Sequence, residues 1–234
     1  MTYLCETCPV RQTGICATMI GADKINPEIA RERKSRTLPA KRYMQTPANR
    51  GEELRIIRHG WAASIATSST GGAHISQVLL PGDPVGAALL PPNTPPQKIR
   101  TVRTLTPVEY CSFDAPFVRQ LLMDHEWARE LLFDITHQRA LDLQARLADL
   151  GLRDAEGRIV SLLLEIYQRL EARGLASDGH CEFPMKQQSI GEATGLTQVH
   201  VSRVMKTLRE RKLLWIDKKG LHIPDLERVR TLLS

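Results

Sequence analysis

The sequence predicts an α+β chain in which short β-strands come first, one long helix follows, and a winged helix-turn-helix closes the C-terminal end. Three observations predict it. Between about Thr37 and Phe113, short and partly β-branched apolar runs are separated by Gly, Pro and Asn. From about Pro116 to Leu150 the apolar period becomes helical. The stretch KQQSIGEATGLTQVHVSRVMKTLRERKLLWIDKKGLHI then reads as helix, glycine turn, helix and basic hairpin.

The chain of 234 residues is long enough for two modest domains. It opens with CETCPVRQTGIC, Cys5 to Cys16, which holds three of its five cysteines. Hydrophobic content of 42% and charged content of 25% are ordinary for a globular protein. No run of about 18 apolar residues exists, so no membrane partner is expected. The first ten residues lack a basic region followed by an apolar core, so a cytoplasmic location is the default expectation. Thiols stay reduced there, so clustered cysteines point to metal or redox work before structural disulfides. Residues 24–36 read as a short helix, with Asn26 as candidate cap before Pro27.

The runs LRIIRHGWAASIATS, HISQVLL and TVRTLTPVEYCSF read as strands. Between the last two lies PGDPVGAALLPPNTPP, with six prolines in sixteen residues, which suits a loop or rim and no sheet interior. In the helical stretch Leu132, Thr136, Ala140, Leu143, Leu147 and Leu150 step by four and three along a narrow seam. Asp142, Gln144, Arg146 and Asp149 line the other side. A helix packed on its own domain would show such a stripe; the sharper expectation is a homodimer helix. A further helix is expected over 154–172, with Ile159, Leu162, Leu163, Ile166 and Leu170 on one face, followed by a loop ARGLASDGHCEF.

In the last unit, Gln187–Thr194 suits a short helix, Gly195 a sharp turn needing positive φ, and Thr197 an N-cap. On the next helix Val201, Val204, Met205 and Leu208 form the inward stripe. Gln198, Val199, His200, Ser202, Arg203 and Lys206 are left outward, as on a helix that enters a major groove. Lys218 and Lys219 fall at the tip of the hairpin, a wing able to touch phosphates. The net charge of +6 permits nucleic-acid binding, and its distribution favours it. Arg203, Lys206, Arg209, Arg211, Lys212, Lys218 and Lys219 face only Glu210 and Asp217 over residues 198–219. Arg203 is the candidate for bidentate guanine readout, and Ser202 and Gln198 can reach a base edge or a phosphate. Lys206, Lys218 and Lys219 suit phosphates, which add salt-dependent affinity without sequence information.

Cys5, Cys8 and Cys16 supply three thiolates, and Cys111 in VEYCSF is the remote candidate for a fourth. Four thiolates suit tetrahedral zinc or an iron–sulfur cluster. Spacing does not choose between them, although three-plus-one favours a cluster over the two close pairs usual for zinc. Cys181 reads as a buried or incidental cysteine. No nucleotide loop, Ser/His/Asp set or catalytic carboxylate pair can be read, so no enzyme is expected.

Together these residues resemble the CRP/FNR superfamily of bacterial transcription regulators, in particular its oxygen-sensing FNR branch. LRIIRHGWAA looks like the family's entry to its β-roll, and LLPGDPVG is similar to its roll motif. GLTQVHVSRVMKTL falls on its recognition helix, with Ser202 and Arg203 on positions used for DNA. EYCSF occupies the place of the remote cysteine. The resemblance implies a cyclic-nucleotide-binding-like jelly-roll sensor domain and a [4Fe–4S] cluster on Cys5, Cys8, Cys16 and Cys111. It also implies a homodimer on a roughly palindromic double-stranded DNA operator, with RNA polymerase as a further partner. The domain organisation it implies is a cysteine segment 1–22, a β-roll 23–125, a dimerisation helix 126–152 and a winged helix-turn-helix 153–234. Seven residues separate Cys8 from Cys16, where the best-known FNR pattern has five. Val199 stands where the family has an acidic base-reader, so the familiar half-site is not implied. The Arg-Ser pair of the cyclic-nucleotide branch is missing, so cAMP is not an expected ligand. The rivals to a cluster are zinc, a Cys5/Cys8 thiol–disulfide switch, and haem-based NO sensing through His59 or His74.

Overall fold

The computed structural model describes residues 5–20, 27–46, 53–67, 72–86, 95 and 100–233. The candidate cap Asn26 and most of the proline-rich stretch lie outside these residues. The chain divides into two compact units, Met1–Ala66 with Gln77–Arg139, and Thr67–Ser76 with Ala140–Ser234.

The first unit opens with a 3₁₀ turn at Cys5–Thr7, helix α1 (Gly14–Ile20) and helix α2 (Pro27–Glu32). Eight strands follow: β1 (Lys34–Leu38), β2 (Tyr43–Gln45), β3 (Glu53–His59), β4 (Ala62–Thr67), β5 (Ala73–Leu79), β6 (Pro84–Val85), β7 (Thr101–Thr104) and β8 (Val108–Asp114). They form two four-stranded sheets, ordered β1-β8-β3-β6 and β2-β7-β4-β5. Met44, Ile57, Ala62, Leu79, Val85, Val102, Val108 and Tyr110 pack between the sheets as the roll interior.

Strand geometry sends successive side chains to opposite faces. On β8, Val108 and Tyr110 therefore enter the roll, while Cys111 and Phe113 join a second core on the outer face. On β3, Ile57 enters the roll and Leu54 and Ile56 face outward. The outer face is covered by Cys5, Val10, Ile15, Cys16, Met19 and Ile29 from the N-terminal segment. Burial on both faces explains why Leu54 through Arg58 are all buried, a run that a half-exposed strand would interrupt.

Two departures from the sequence reading occur here. Residues 34–36, expected to continue a helix, begin β1. Lys34, Ser35 and Arg36 are exposed on this edge strand, so no apolar alternation marks it. The expected single helical stretch is broken into α3 (Ala115–Asp124) and α4 (Glu126–Leu152) by extended backbone at His125. Arg129 Nη1 donates to the carbonyls of Leu122 and Met123, at 2.9 and 3.1 Å, and satisfies the open end of α3.

In the second unit, Asp154 caps α5 (Ala155–Glu171) by accepting from the Gly157 N–H at 2.8 Å. The expected loop after α5 contains two short strands, β9 (Ala176–Ser177) and β10 (His180–Cys181). Buried Tyr167 holds their turn, accepting from the Gly179 N–H at 2.9 Å and donating to Glu171. Then come α6 (Gln187–Thr194), α7 (Gln198–Glu210), β11 (Trp215–Asp217), β12 (Gly220–His222) and α8 (Leu226–Arg230). The small sheet runs β11-β12-β10-β9. The fold is α+β, as the sequence predicts.

The N-terminal segment meets the roll at a glycine. Gly14 has φ of 51°, and a Cβ built on it would stand 2.9 Å from the carbonyl oxygen of Gly82. Gly14→Ala is expected to cost about 1–2 kcal/mol and loosen the segment from the roll. Limited proteolysis read by mass spectrometry should show faster cleavage near residues 9–13, with the second unit unaffected.

Candidate sulfur centre and nucleic-acid interface

Cys5, Cys16 and Cys111 are buried in the outer-face core, and half-buried Cys8 packs against it. Local structure gathers the first three. The Cys8 N–H donates to the Cys5 carbonyl at 3.2 Å, a turn that sets these two residues side by side. The Arg11 N–H donates to the Cys8 carbonyl and the Thr13 N–H to the Val10 carbonyl, which curls the loop into α1. Cys16 then lies within α1. Cys111 is delivered by β8, opposite Ile56 of β3 and Ser35 of β1.

Burial pushes the Cys16 thiol far above its ordinary range, and the sulfurs of Cys8, Cys111 and Cys5 push it further, while Arg58 opposes them. Burial likewise raises Cys111, against Arg33 and Arg58. The four sulfurs thus form one electrostatic neighbourhood. Among the described residues, no three His, Cys, Asp or Glu side chains close around a single metal point. The donor set, thiols alone in an apolar core, fits an iron–sulfur group. So does the Arg33 Nε, which is buried with no acceptor.

The same core contains Phe117 and Leu122 of α3, and Trp127, Leu131 and Ile135 of α4. Ile15 and Met19 of α1 face Trp127, Leu131, Leu132 and Ile135 across a cavity of about 30 Å³. Leu132, expected in the seam, is half-buried on this side. Phe133, which the sequence reading passed over, is 69% exposed. With Phe133 the exposed positions 133, 136, 140, 143, 147 and 150 step 3-4-3-4-3, a strict heptad. The signal was available in the spacing, but Leu132 masked it. Leu143, Leu147 and Leu150 are exposed on α4, as are Thr136 and Ala140.

A cavity of about 110 Å³ in the roll is lined by Gln45, Ser64, Gln77, Arg100 and Arg139 among others. Neither His59 nor His74 is among its described lining residues, and both are exposed.

In the second unit, α6 ends at Gly195, whose left-handed backbone (φ 71°, ψ 29°) lets its N–H donate to the Gly191 carbonyl. Thr197 caps α7 by accepting from the His200 N–H at 3.2 Å. Val201, Met205 and Leu208 are buried beneath α7, and Val204 is half-buried. Gln198, Val199, His200, Ser202, Arg203 and Lys206 are all exposed, Val199 to 70%. At the wing tip, Asp217 Oδ1 accepts from the Lys219 N–H at 2.7 Å and lies 3.1 Å from His222 Nε2. These two bonds hold the Asp217 carboxyl below the usual range and fix the turn that exposes Lys218 and Lys219. Every residue expected to face DNA is thus on one helix or one wing tip of this unit.

Residues 157–232 match the model of the Crp-like helix-turn-helix domain. The transcriptional activator protein Anr of Pseudomonas protegens is 24% identical over 74% of this chain and 70% of its own length. The global nitrogen regulator of Synechococcus elongatus is 31% identical over 50% of this chain, and the match spans about half (53%) of that protein. The structure of FixK2 from Bradyrhizobium japonicum aligns with a TM-score of 0.76 at 19% identity, over 86% of this chain and 98% of that one. That of a CooA mutant from Carboxydothermus hydrogenoformans aligns at 0.71 and 13% identity, over 95% and 96%. The fold is CRP-like, and the curated relatives are regulators, not enzymes. No described helix is long and apolar enough to cross a membrane.

Cys181 stands apart from the other sulfurs. It is buried in the wing sheet, and burial, with the nearby Glu182, pushes its thiol up to about 12. In native protein at pH 8 it should react with iodoacetamide at least about a hundredfold more slowly than a free cysteine, and at the free rate in denaturant. Peptide mass spectrometry reads both rates.

Proposed function

We propose that this chain is a cytoplasmic, homodimeric DNA-binding transcription regulator of the CRP/FNR type, which senses oxygen or redox state through a [4Fe–4S] cluster on Cys5, Cys8, Cys16 and Cys111. The match of residues 157–232 to a Crp-like helix-turn-helix, with the CRP-like fold, supports the regulator. The observation that carries the sensing half is the gathering of all four thiols into one apolar core shared with the start of α4. The functional segments are those read from the sequence: 1–22, 23–125, 126–152 and 153–234.

When bound, the cluster supplies oxygen-labile cross-links between the N-terminal segment and β8. The remaining steps belong to the chain. With Cys5, Cys8 and Cys16 tied to Cys111, Ile15 and Met19 are held against Trp127, Leu131 and Ile135. That contact fixes the first turns of α4. The heptad from Phe133 to Leu150 then packs against its copy in a second protomer. DNA selects the dimer whose two α7 helices lie about 34 Å apart, one turn of the duplex. Arg203, Ser202 and Gln198 meet base edges or phosphates, Val199 and His200 present the remaining groove face, and Lys206, Lys218 and Lys219 meet phosphates. RNA polymerase is the further partner of such a complex. Loss of the cross-links frees α1, and the DNA-competent population falls.

Anaerobically purified protein should absorb in the visible and carry iron and sulfide in equal amounts, whereas zinc or a disulfide switch would leave it colourless. Replacing any one of the four cysteines by Ser should remove the colour, and Cys181→Ser should keep it. Leu147→Glu would bury a carboxylate in the dimer seam at a cost of several kcal/mol, and cluster-loaded protein should sediment as a monomer. Arg203→Ala should lose about 1–3 kcal/mol, and with it discrimination at one base pair per half-site. Lys218→Ala should weaken all sequences alike and lower the salt slope by about one unit for each phosphate no longer neutralised. Titrations on single-base operator variants at several salt concentrations separate the two.

A further inference from the structure

Two guanidinium groups reach the sulfur site from different elements. Arg33 follows α2, and its Nη1 lies 4.0 Å from the Cys111 sulfur, its one described side-chain partner. Its Nε is buried without an acceptor. Arg58 comes from β3 and is only 3% exposed. Its Nη1 donates to Ser35 Oγ at 3.4 Å, and Ser35 stands directly across from Cys111 in the β1–β8 ladder. The charge of Arg58 acts on both Cys16 and Cys111, and that of Arg33 on Cys111.

A guanidinium N–H closed off from water costs free energy unless an acceptor or an anion faces it; Arg58 is buried, and Arg33 is half-buried with its Nε enclosed. Arg33 has no carboxylate partner among the described residues; what it faces is sulfur. Four protonated thiols would leave it uncompensated. Four thiolates around a doubly positive iron–sulfur core carry two negative charges overall, and two guanidinium groups match that charge.

We propose that Arg33 and Arg58 are the counter-ions of the sulfur centre: they balance its charge, and Arg33 in addition donates to the Cys111 sulfur. The assignment rests on the iron–sulfur reading above. Both are positioning and tuning residues that act through the thiolates. Net charge and hydrogen bonds to sulfur set the potential of such a centre, and partners of the ligands set its affinity. The pair explains why the link between α2 and β1 and the core strand β3 each send a long polar side chain toward an otherwise apolar cluster.

The test uses full-length protein reconstituted anaerobically with ferrous iron and sulfide, as wild type, Arg33→Ala, Arg33→Lys and Arg58→Gln. Iron and sulfide per protomer are counted after desalting. The midpoint potential is read from visible absorbance during titration with dithionite, which donates the one electron that the centre accepts. Arg33→Ala should hold iron about tenfold less tightly, and its potential should move to more negative values, because removing a cation makes the added electron less favourable. Arg33→Lys should recover most of the potential, since the charge returns without the guanidinium fork. Arg58→Gln should shift the potential in the same direction; its apo melting temperature shows whether it folds, and Arg33→Ala decides the matter if it does not. A wild type that loads while Arg33→Ala matches it in iron and potential overturns the counter-ion assignment alone. Equal loss of iron in Arg33→Ala and Arg33→Lys with a lowered apo melting temperature also overturns it, in favour of a structural role. A wild type that takes up no iron and sulfide overturns the iron–sulfur reading, and the assignment with it.

Discussion

At its centre the sheet β1-β8-β3-β6 has no solvent face. Val108, Tyr110 and Ile57 fill the roll on one side, and Leu54, Ile56, Cys111 and Phe113 need cover on the other. Each such side chain gains about 1.5–3 kcal/mol from burial, so the outer face must be covered for the roll to be stable. The N-terminal segment, α3 and the start of α4 provide that cover together. Cys111 sits in the outer face because strand alternation puts it there, one residue beyond inward-facing Tyr110. Everything proposed for the sulfur centre follows from that alternation.

One core with three contributors is also a route for coupling. The cysteine segment shares one core and one cavity with Trp127, Leu131 and Ile135, and these residues begin the helix whose exposed side carries the heptad. Tight packing transmits a shift of the segment because interiors leave little free space to absorb it. A small cavity of about 30 Å³ lies between α1 and α4. A segment clamped at four sulfurs and a segment held by apolar contact alone would fill it differently, and the first turns of α4 would follow.

The C-terminal unit was the most legible part of the sequence. Gly195, Thr197 and the Val201–Met205–Leu208 stripe each have one structural solution at that spacing, and α6, α7 and the wing lie where they predict. Less legible were elements whose signal is too short or too polar. Strands β9 and β10 have two residues each, below any readable period, and β1 is an exposed, charged edge. The break between α3 and α4 has no Pro or Gly to announce it, since Arg129 supplies the capping from seven residues away. In the sulfur site the spacing marks Cys5, Cys8 and Cys16, while Cys111 stands far off in the sequence and is a candidate only through its place on a strand. Arg33 and Arg58 could not be found, because a lone arginine carries no pattern until the fold sets it beside a sulfur.

The central claim, that the sulfur centre and the start of α4 share one mechanical unit, is tested most directly by hydrogen exchange. Amide exchange in Gly14–Ile20 and in residues 127–135 would be compared, by mass spectrometry, between anaerobic cluster-loaded protein and the same protein after cluster removal, both at a concentration where Leu147→Glu keeps the chain monomeric. The account predicts faster exchange in both segments once the cluster is gone, with α7 unchanged. Faster exchange confined to the N-terminal segment, with residues 127–135 unaltered, would contradict it.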